Sequence, residues 1–160
     1  MPASPIAATQ RFYQPGNTHF TFCPAIANTS SPLRAELNAG TDLSSEVYEV
    51  SGFSVSSELL DAPDFGSRQI QKIAGQITPA DSALSMYRSF TSSDVRATLT
   101  RDTTGFMVVF PEGDVAGKKM DVFPVTVAAQ QKVYDIKSPA GIILQFGITG
   151  KVQENLTVPA

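Results

Sequence analysis

The chain has one histidine, His19, and one cysteine, Cys23, so chemistry based on an imidazole or a thiol must use these two residues. On a predicted strand they would lie about 13 Å apart, too far to work as a base and nucleophile pair. One His and one Cys also fall short of the three or four ligands of a transition-metal site. A single cysteine cannot form an internal disulfide, and Cys23 is predicted to be a small buried hydrophobic residue rather than a reactive thiol.

Two pairs of carboxylates and one glycine-containing run are the other candidates for chemistry. Asp61 with Asp64 and Glu112 with Asp114 lie in predicted turns, where acidic side chains more often accept hydrogen bonds than share a proton. The run 113–119, GDVAGKK, has three residues between its glycines where the phosphate-binding loop has four, and it lacks Ser or Thr after the lysine. We interpret these segments as turns and predict no catalytic, cofactor-binding or metal-binding site.

The charge pattern argues against gripping nucleic acid. The formal net charge is -3, and the doublet Lys118–Lys119 is the only basic cluster. Nucleic-acid binding through phosphates needs several cations on one face. Arg68, Arg96 and Arg101 are interpreted as solvated side chains or members of modest ion pairs. Any contact with nucleic acid is therefore expected to be non-adhesive.

Targeting and membrane signals are weak. No apolar run approaches the roughly 20 residues of a membrane-spanning helix. The N-terminal stretch MPASPIAATQ lacks the basic start and apolar segment of a secretion signal. We expect no membrane insertion and a protein that is made and kept in the cytosol.

A long β-hairpin over Asp102–Lys132 is the predicted centre of the fold. Its first arm, Gly105–Phe110, is apolar at every non-glycine position, so both faces of this strand must be covered. The second arm, Met120–Gln131, would span roughly 40 Å and is longer than most strands. Three of its apolar residues share one face: Phe123, Val125 and Val127.

Further strands are predicted from alternating apolar residues, over His19–Phe22, Thr41–Leu60, Gln69–Ile77, Ala83–Arg88 and Ile142–Ile148. Within the second of these, the apolar side chains change from even to odd positions across Gly52, which predicts a β-bulge there. The segment Asp61–Arg68 is predicted to be a polar loop between strands.

Helical signals are few. Thr91–Leu99 is the one predicted helix, capped by Ser92 or Ser93 and packed through Val95 and Leu99. Two other segments stay open: Leu33–Leu37 is a turn or one short helical turn, and the region around Leu156 and Val158 is a last strand or a tail.

The length and composition fit one domain with a real core. The 160 residues are 42% hydrophobic and 17% charged, and a domain near this size buries about 70% of the surface of its unfolded chain. The predicted class is mainly β, α+β by count, as a β-sandwich or barrel with one short flanking α-helix. We expect a flexible N-terminal arm (1–17), one β domain (18–150) and a C-terminal tail (151–160).

Three segments together resemble a known family: GTDLSSEVYEVSGF (40–53), DAPDFGSR (61–68) and EGDVAGKKMDVFPVTVAAQQK (112–132). In their order and spacing they are similar to the major tail tube proteins of long-tailed bacteriophages, in particular those of phages and prophages of actinobacteria. The resemblance runs over 39–150. It implies a β-sandwich or barrel whose copies form sixfold rings, which stack into the hollow tube through which phage DNA passes.

The resemblance also implies partners and contact residues. The partners are further copies of the chain, the tape measure protein, the tail terminator and tip proteins, and genomic DNA sliding through the lumen without specific binding. The protein would be assembled in the host bacterial cytoplasm and end in the virion. The terminal arms and the loop 61–68 are candidates for contacts between subunits. The expected contact residues are Asp61, Pro63, Asp64, Phe65, Arg68, Phe106, Val108 and Phe110.

Two other functions remain open at this point. A monomeric β-sandwich module that binds carbohydrate or a host surface usually shows exposed aromatic residues in a cleft, and the absence of tryptophan with only four tyrosines weakens that case. A tail terminator or tail-completion subunit would share the architecture. Light scattering separates large assemblies from a strict monomer.

Overall fold

The computed structural model describes residues 3–160, so Met1 and Pro2 of the expected N-terminal arm lie outside the described residues. Residues 3–18 form no helix or strand. The strands are β1 His19–Cys23, β2 Thr41–Asp42, β3 Val47–Ser51, β4 Val55–Ala62, β5 Gln71–Pro79, β6 Ser82–Tyr87, β7 Thr104–Phe110, β8 Lys119–Val133, β9 Gly141–Ile148 and β10 Gln153–Thr157. The helices are α1 Arg34–Asn38 and α2 Val95–Thr98.

The mainly β class is therefore confirmed, with two short helices in the described part of the chain where one was predicted. The open alternatives at Leu33–Leu37 and around Leu156 are settled as helix α1 and strand β10. The predicted central hairpin is present as β7 and β8, and β8 is 15 residues long.

Eight strands form one antiparallel sheet in the order β2-β1-β7-β8-β9-β6-β3, with β10 pairing β8 beside this path. The two edge strands, β2 and β3, are consecutive in the chain and are joined by residues 43–46 alone. So short a connection spans at most about 18 Å from Asp42 to Val47. The sheet must therefore curl until its edges approach each other, which gives the barrel-like shape.

The inner core fills the curled sheet. The predicted faces are confirmed here, because Phe123, Val125 and Val127 of β8 are buried together with apolar residues of β1, β6, β7, β9 and α2. Their alternation along the strand places every second side chain inside. Helix α2 contributes Val95 and the following Leu99, as predicted.

A second core covers the outer face of β1, β7 and β8. Leu37 of α1 and Val158, which follows β10, lie over buried residues of these strands. The apolar strand β7 thus has cover on both faces from its own chain: Met107 belongs to the inner core and Val108 to the outer one. A bidentate ion pair of 2.5 and 2.7 Å joins Arg34 of α1 to Asp114, in the turn after β7.

The predicted bulge at Gly52 is wrong. The segment 41–60 breaks there into β3, which pairs with β6 in the large sheet, and β4, which pairs with β5 in a separate sheet. Gly52 and Phe53 have φ of +74° and +51°, a left-handed conformation that turns the chain out of the sheet. The change of the apolar residues from even to odd positions therefore marks the point where the chain passes from the large sheet to the small one.

The predicted α2 helix is shorter than expected and has a different cap. Asp94, not Ser92 or Ser93, is the N-cap, and its side chain accepts a hydrogen bond from the Arg96 backbone nitrogen at 3.0 Å. Arg96 also donates from its Nε to the Asp94 carboxylate at 2.8 Å, so this arginine is a member of an ion pair. The ion pair and cap together fix a helix of one turn.

Candidate self-assembly surface

The β4–β5 hairpin lies apart from the curled sheet. Its two strands pair only with each other among the described strands. Every residue of both strands is exposed except Val55, Ala62 and Gly75, which are half-buried. An isolated two-stranded hairpin is marginally stable at best in water. A hairpin that stands alone in the single chain therefore has one surface that still needs cover.

One face of the hairpin carries an exposed apolar pair. Leu60 lies directly opposite Ile73, and the two side chains are 45% and 53% exposed, respectively. The Leu60 side chain also covers Gly75: a β-carbon at position 75 would lie 3.0 Å from Leu60 Cγ. The register of the two strands shifts between Ser57 and Leu59, so Ile77, which lies opposite Ser57, is on the other face of the hairpin. We refer to Leu60 and Ile73 as the apolar face of the hairpin.

The opposite face carries an ion pair. Asp61 lies opposite Lys72, and the two side chains form an ion pair of 2.5 Å. Both are more than half exposed, so this pair contributes little to stability, about 0–1 kcal/mol. Leu59 and Ile77 share this face, and both are exposed. The hairpin therefore exposes large apolar side chains on both of its faces.

The loop 63–70 joins the two strands and contains most of the predicted contact residues. Pro63, Asp64, Phe65 and Arg68 are exposed on it, and Phe65 is fully exposed. Asp64 accepts a hydrogen bond of 2.7 Å from the Gly66 backbone nitrogen, which stabilises the turn at the tip. Asp61 lies on the adjoining strand. The predicted loop residues are thus brought together at one end of the hairpin.

The other three predicted contact residues lie on β7 and are placed differently. Val108 and Phe110 are buried in the outer core, and Phe106 is half-buried against it. No neighbouring copy is needed to cover the outer face of this strand, because α1 and the C-terminal segment cover it within one chain. In the folded subunit the side chains of Val108 and Phe110 are not available to another copy.

A groove of about 810 Å³ lies between β1 and β3, which we refer to as the β1–β3 groove. Its lining includes Phe20, Val47 and Val109, three half-buried residues at the rim of the inner core. The pairing of β1 with β2 brings His19 and Asp42 together at this groove, with 3.3 Å between His19 Nδ1 and Asp42 Oδ2. The spacing of His19 and Asp42 in the sequence does not indicate that the two side chains are close.

Ser44 completes a Ser, His and Asp cluster, but its geometry is not that of a catalytic triad. Its Oγ lies 3.5 Å from His19 Nδ1, the same nitrogen that faces Asp42. A triad needs the serine on the other ring nitrogen. Ser44 Oγ accepts from the Phe20 backbone nitrogen at 2.9 Å and donates to Asp42. Burial alone would raise the pKa of Asp42, but the hydrogen bonds from Ser44 and the contact with His19 outweigh it and leave this pKa lowered.

Cys23 is buried, as predicted, and burial is the main cause that raises the pKa of its thiol to about 11. A thiol with so high a pKa is a poor nucleophile at neutral pH. Within residues 3–160, no group of three or more His, Cys, Asp or Glu could hold a metal ion. Neither α1 nor α2 is long or apolar enough to cross a membrane, and the described residues contain no other helix that could.

The sequence analysis missed the apolar face of the hairpin. Leu60 was assigned to the predicted strand Thr41–Leu60, and Ile73 to the predicted strand Gln69–Ile77. Both strands were predicted from alternating apolar residues. Such alternation predicts that one face of a strand is covered, but it does not tell whether the same chain or another molecule covers it.

Comparisons with known proteins agree with this fold. The sequence model of a family described as phage tail tube protein matches residues 6–160. A solved structure, described as the cryo-EM structure of the anti-feeding prophage (AFP) baseplate, 6-fold symmetrised, contains a chain with a similar fold. The TM-score is 0.51 at 16% sequence identity, over 95% of this chain and 98% of that chain. A comparison with curated proteins gives no match. Since the family model covers nearly the whole sequence, the chain belongs to the phage tail tube protein family.

Proposed function

We propose that copies of this protein form hexameric rings that stack into the hollow tube of a phage tail, and that the tube conducts DNA into the host. Membership of the tail tube family makes it a structural protein of the phage tail rather than an enzyme. Six subunits are proposed because the assembly that contains the structural relative is described as sixfold. Head-to-tail contacts close into rings when the rotation between copies permits.

The apolar face of the β4–β5 hairpin is the observation that carries this proposal. Two large aliphatic side chains, Leu60 and Ile73, lie exposed opposite each other on one face of a two-stranded sheet that pairs with no other described strand. Burying such a side chain contributes about 1.5–3 kcal/mol relative to exposure. A neighbouring subunit supplies that burial, and the exposed Phe65 at the tip extends the contact.

The charge supports passage of DNA without adhesion. A net charge of -3 with a single basic doublet offers few sites to phosphates, and carboxylates repel them across about a Debye length. The proposed location is the virion, after assembly in the host cytoplasm, with the tape measure, terminator and tip proteins as further partners. In this assignment 18–150 is the tube-forming domain, the arm 1–17 precedes it, and the segment 151–160 follows it and packs on it through β10 and Val158.

A matched pair of leucines tests the proposal. Leu60 and Leu59 are neighbours on β4, both exposed, and they point to opposite faces of the hairpin. Leu60→Ser removes an apolar group from the proposed interface, so we expect folded subunits that no longer form filaments in electron micrographs. Leu59→Ser is the control and is expected to leave filaments intact.

The shape of the assembly distinguishes the candidate functions. Wild-type protein is expected to give hollow filaments with a regular axial repeat. A strict monomer at high concentration by light scattering would contradict the proposal and favour a monomeric binding module. Single rings that never stack would favour a terminator or completion subunit. If Leu60→Ser and Leu59→Ser form filaments equally well, the hairpin is not part of the interface.

A further inference from the structure

The β1–β3 groove is an opening in the curled sheet. On one side lie β1 and its neighbour Val109, and on the other side lies β3. β3 pairs with β6 along one edge, and its other edge faces the groove. An edge strand presents a row of unpaired N–H and C=O groups that can bind another extended segment. The groove therefore has both an apolar floor and a hydrogen-bonding wall.

The arm, residues 3–16, begins at this groove. Gln14, Pro15 and Gly16 form part of the groove lining. A turn follows, in which the backbone nitrogens of Asn17 and Thr18 both donate to the carbonyl oxygen of Gln14 at 2.9 Å. The remainder of the arm forms no helix or strand. The structure thus fixes one end of this segment at the rim of an open edge.

The composition of the arm fits such an edge. Its large apolar side chains, Ile6, Phe12 and Tyr13, are all exposed. Residues 6–13 would span about 26 Å when extended, which is longer than the five-residue strand β3. The segment is long enough to pair with the whole free edge and to place aromatic side chains over the apolar floor.

The charges are complementary. Arg11 is the only charged side chain in residues 1–18. The groove lining contains two carboxylates, Asp42 and Glu49, and its one basic side chain, His19, already faces Asp42. Complementary charge favours the correct partner and register more than raw affinity.

We propose that residues 6–13 of one copy bind in the β1–β3 groove of a neighbouring copy, as an added strand along the free edge of β3. Within one chain the apolar side chains of the arm stay exposed, although the arm starts at the groove of that same chain. We therefore place the arm in the groove of a neighbouring copy. The inference rests on the proposed function for the presence of a neighbour, but it uses neither the hairpin nor its apolar face. The arm then links subunits independently of the hairpin contact.

Disulfide trapping with two different chains tests the direction of the exchange. One chain carries Tyr13→Cys on the arm and the other carries Val50→Cys on β3. Buried Cys23 stays in place because its raised pKa, about 11, keeps it unreactive. Mixed filaments are expected to give a covalent heterodimer on mild oxidation. The control replaces the second site by Glu154→Cys on β10, which β8 and β7 separate from β1, and is expected to give no heterodimer.

Other outcomes overturn the inference. Filaments that form without the heterodimer would leave the proposed function intact and remove the arm from the groove. A chain carrying both cysteines that links only within itself would place the arm in its own groove instead. Linking of the control pair as efficient as that of the test pair would show that the cross-link is not specific to the groove, and it would also overturn the inference.

A peptide experiment separates this inference from filament formation altogether. A fluorescent peptide of residues 3–16 is titrated onto folded Leu60→Ser protein, which is expected to remain unassembled. Saturable binding that weakens several-fold when the protein carries Glu49→Lys supports the groove. Absence of binding, or binding that Glu49→Lys does not weaken, contradicts binding of the arm in the groove, whether or not the wild type forms tubes.

Discussion

Gly105 on β7 lies against the aromatic ring of Phe22 on β1. A β-carbon at position 105 would approach the Cys23 carbonyl oxygen to 2.8 Å and the Phe22 ring to within that distance. Phe22 is buried in the inner core and cannot swing away. Gly105→Ala is therefore expected to lower the free energy of unfolding by about 1–3 kcal/mol, as overpacking does. Urea denaturation measures the change.

Gly147→Ala is the matched control for this contact. Gly147 lies on β9, and no atom comes within 4 Å of the position that its β-carbon would occupy. Alanine in a strand interior is favoured over glycine by roughly 0.5–1 kcal/mol. A neutral or slightly stabilising effect is expected, and equal losses for both variants would contradict the packing argument.

The inner core could be predicted from the sequence because its signal is local. Within the predicted strand Ala83–Arg88, alternation places Leu84 and Met86 on one face and Tyr87 on the other, and the structure buries the first two and exposes the third. Alternation along one strand is enough for such a prediction. It needs no knowledge of which strand lies beside it.

The break at Gly52 could not be predicted in this way, since a bulge and a change of sheet both shift the parity of a strand by one residue. What decides between them is the position of β6 and β5, which comes from distant parts of the chain. The apolar face of the hairpin was missed for a similar reason. Leu60 has the pattern of a core residue, and only the fold reveals that its cover must come from another molecule.

The turn at Gly52 gives a second prediction. A β-carbon there would lie 2.6 Å from Ser82 Cα, and φ is +74°. Gly52→Ala combines a left-handed backbone with a backbone clash, so we expect a loss above about 2 kcal/mol. Gly117 has φ of +86° and open space around it, so Gly117→Ala measures the cost of the left-handed backbone without a clash. It is expected to cost about 1–2 kcal/mol, and thermal unfolding of the two variants tests the order.

The cap of α2 makes a prediction about acid stability. Hydrogen bonds from the Arg96 side chain are the largest cause that lowers the pKa of Asp94 to about 2, below its ordinary 3.8. Because the folded-state pKa is depressed, the stabilisation is complete above pH 3.8 and is lost as the pH falls towards 2. Asp94→Ala is expected to cost about 1–2 kcal/mol at neutral pH and to remove this part of the pH dependence. The exposed Asp81→Ala should retain it in an acid titration of the unfolding free energy.

The C-terminal segment is predicted to stabilise the fold. Val158 is buried in the outer core, and its backbone nitrogen donates to the Lys118 carbonyl oxygen at 2.9 Å. Val158→Ala should cost about 2 kcal/mol, from two lost carbons and the cavity that they leave. Thr157→Ala changes an exposed neighbour and should be close to neutral in the same denaturation experiment. A neutral Val158→Ala would mean that the last residues are a dispensable tail.

Hydrogen exchange tests whether the hairpin depends on its neighbours. In the isolated Leu60→Ser subunit, the amides of β4 and β5 are expected to exchange much faster than those of β8 and β9, because the hairpin has few buried apolar contacts and can open locally. In wild-type filaments the same amides should become protected, since a neighbouring subunit covers the apolar face. Amides of β9 serve as the internal reference, because the inner core buries this strand in both states. Protection of β4 and β5 in the unassembled subunit equal to that of β9 would show that the hairpin is stable alone, and the need for a covering subunit would disappear.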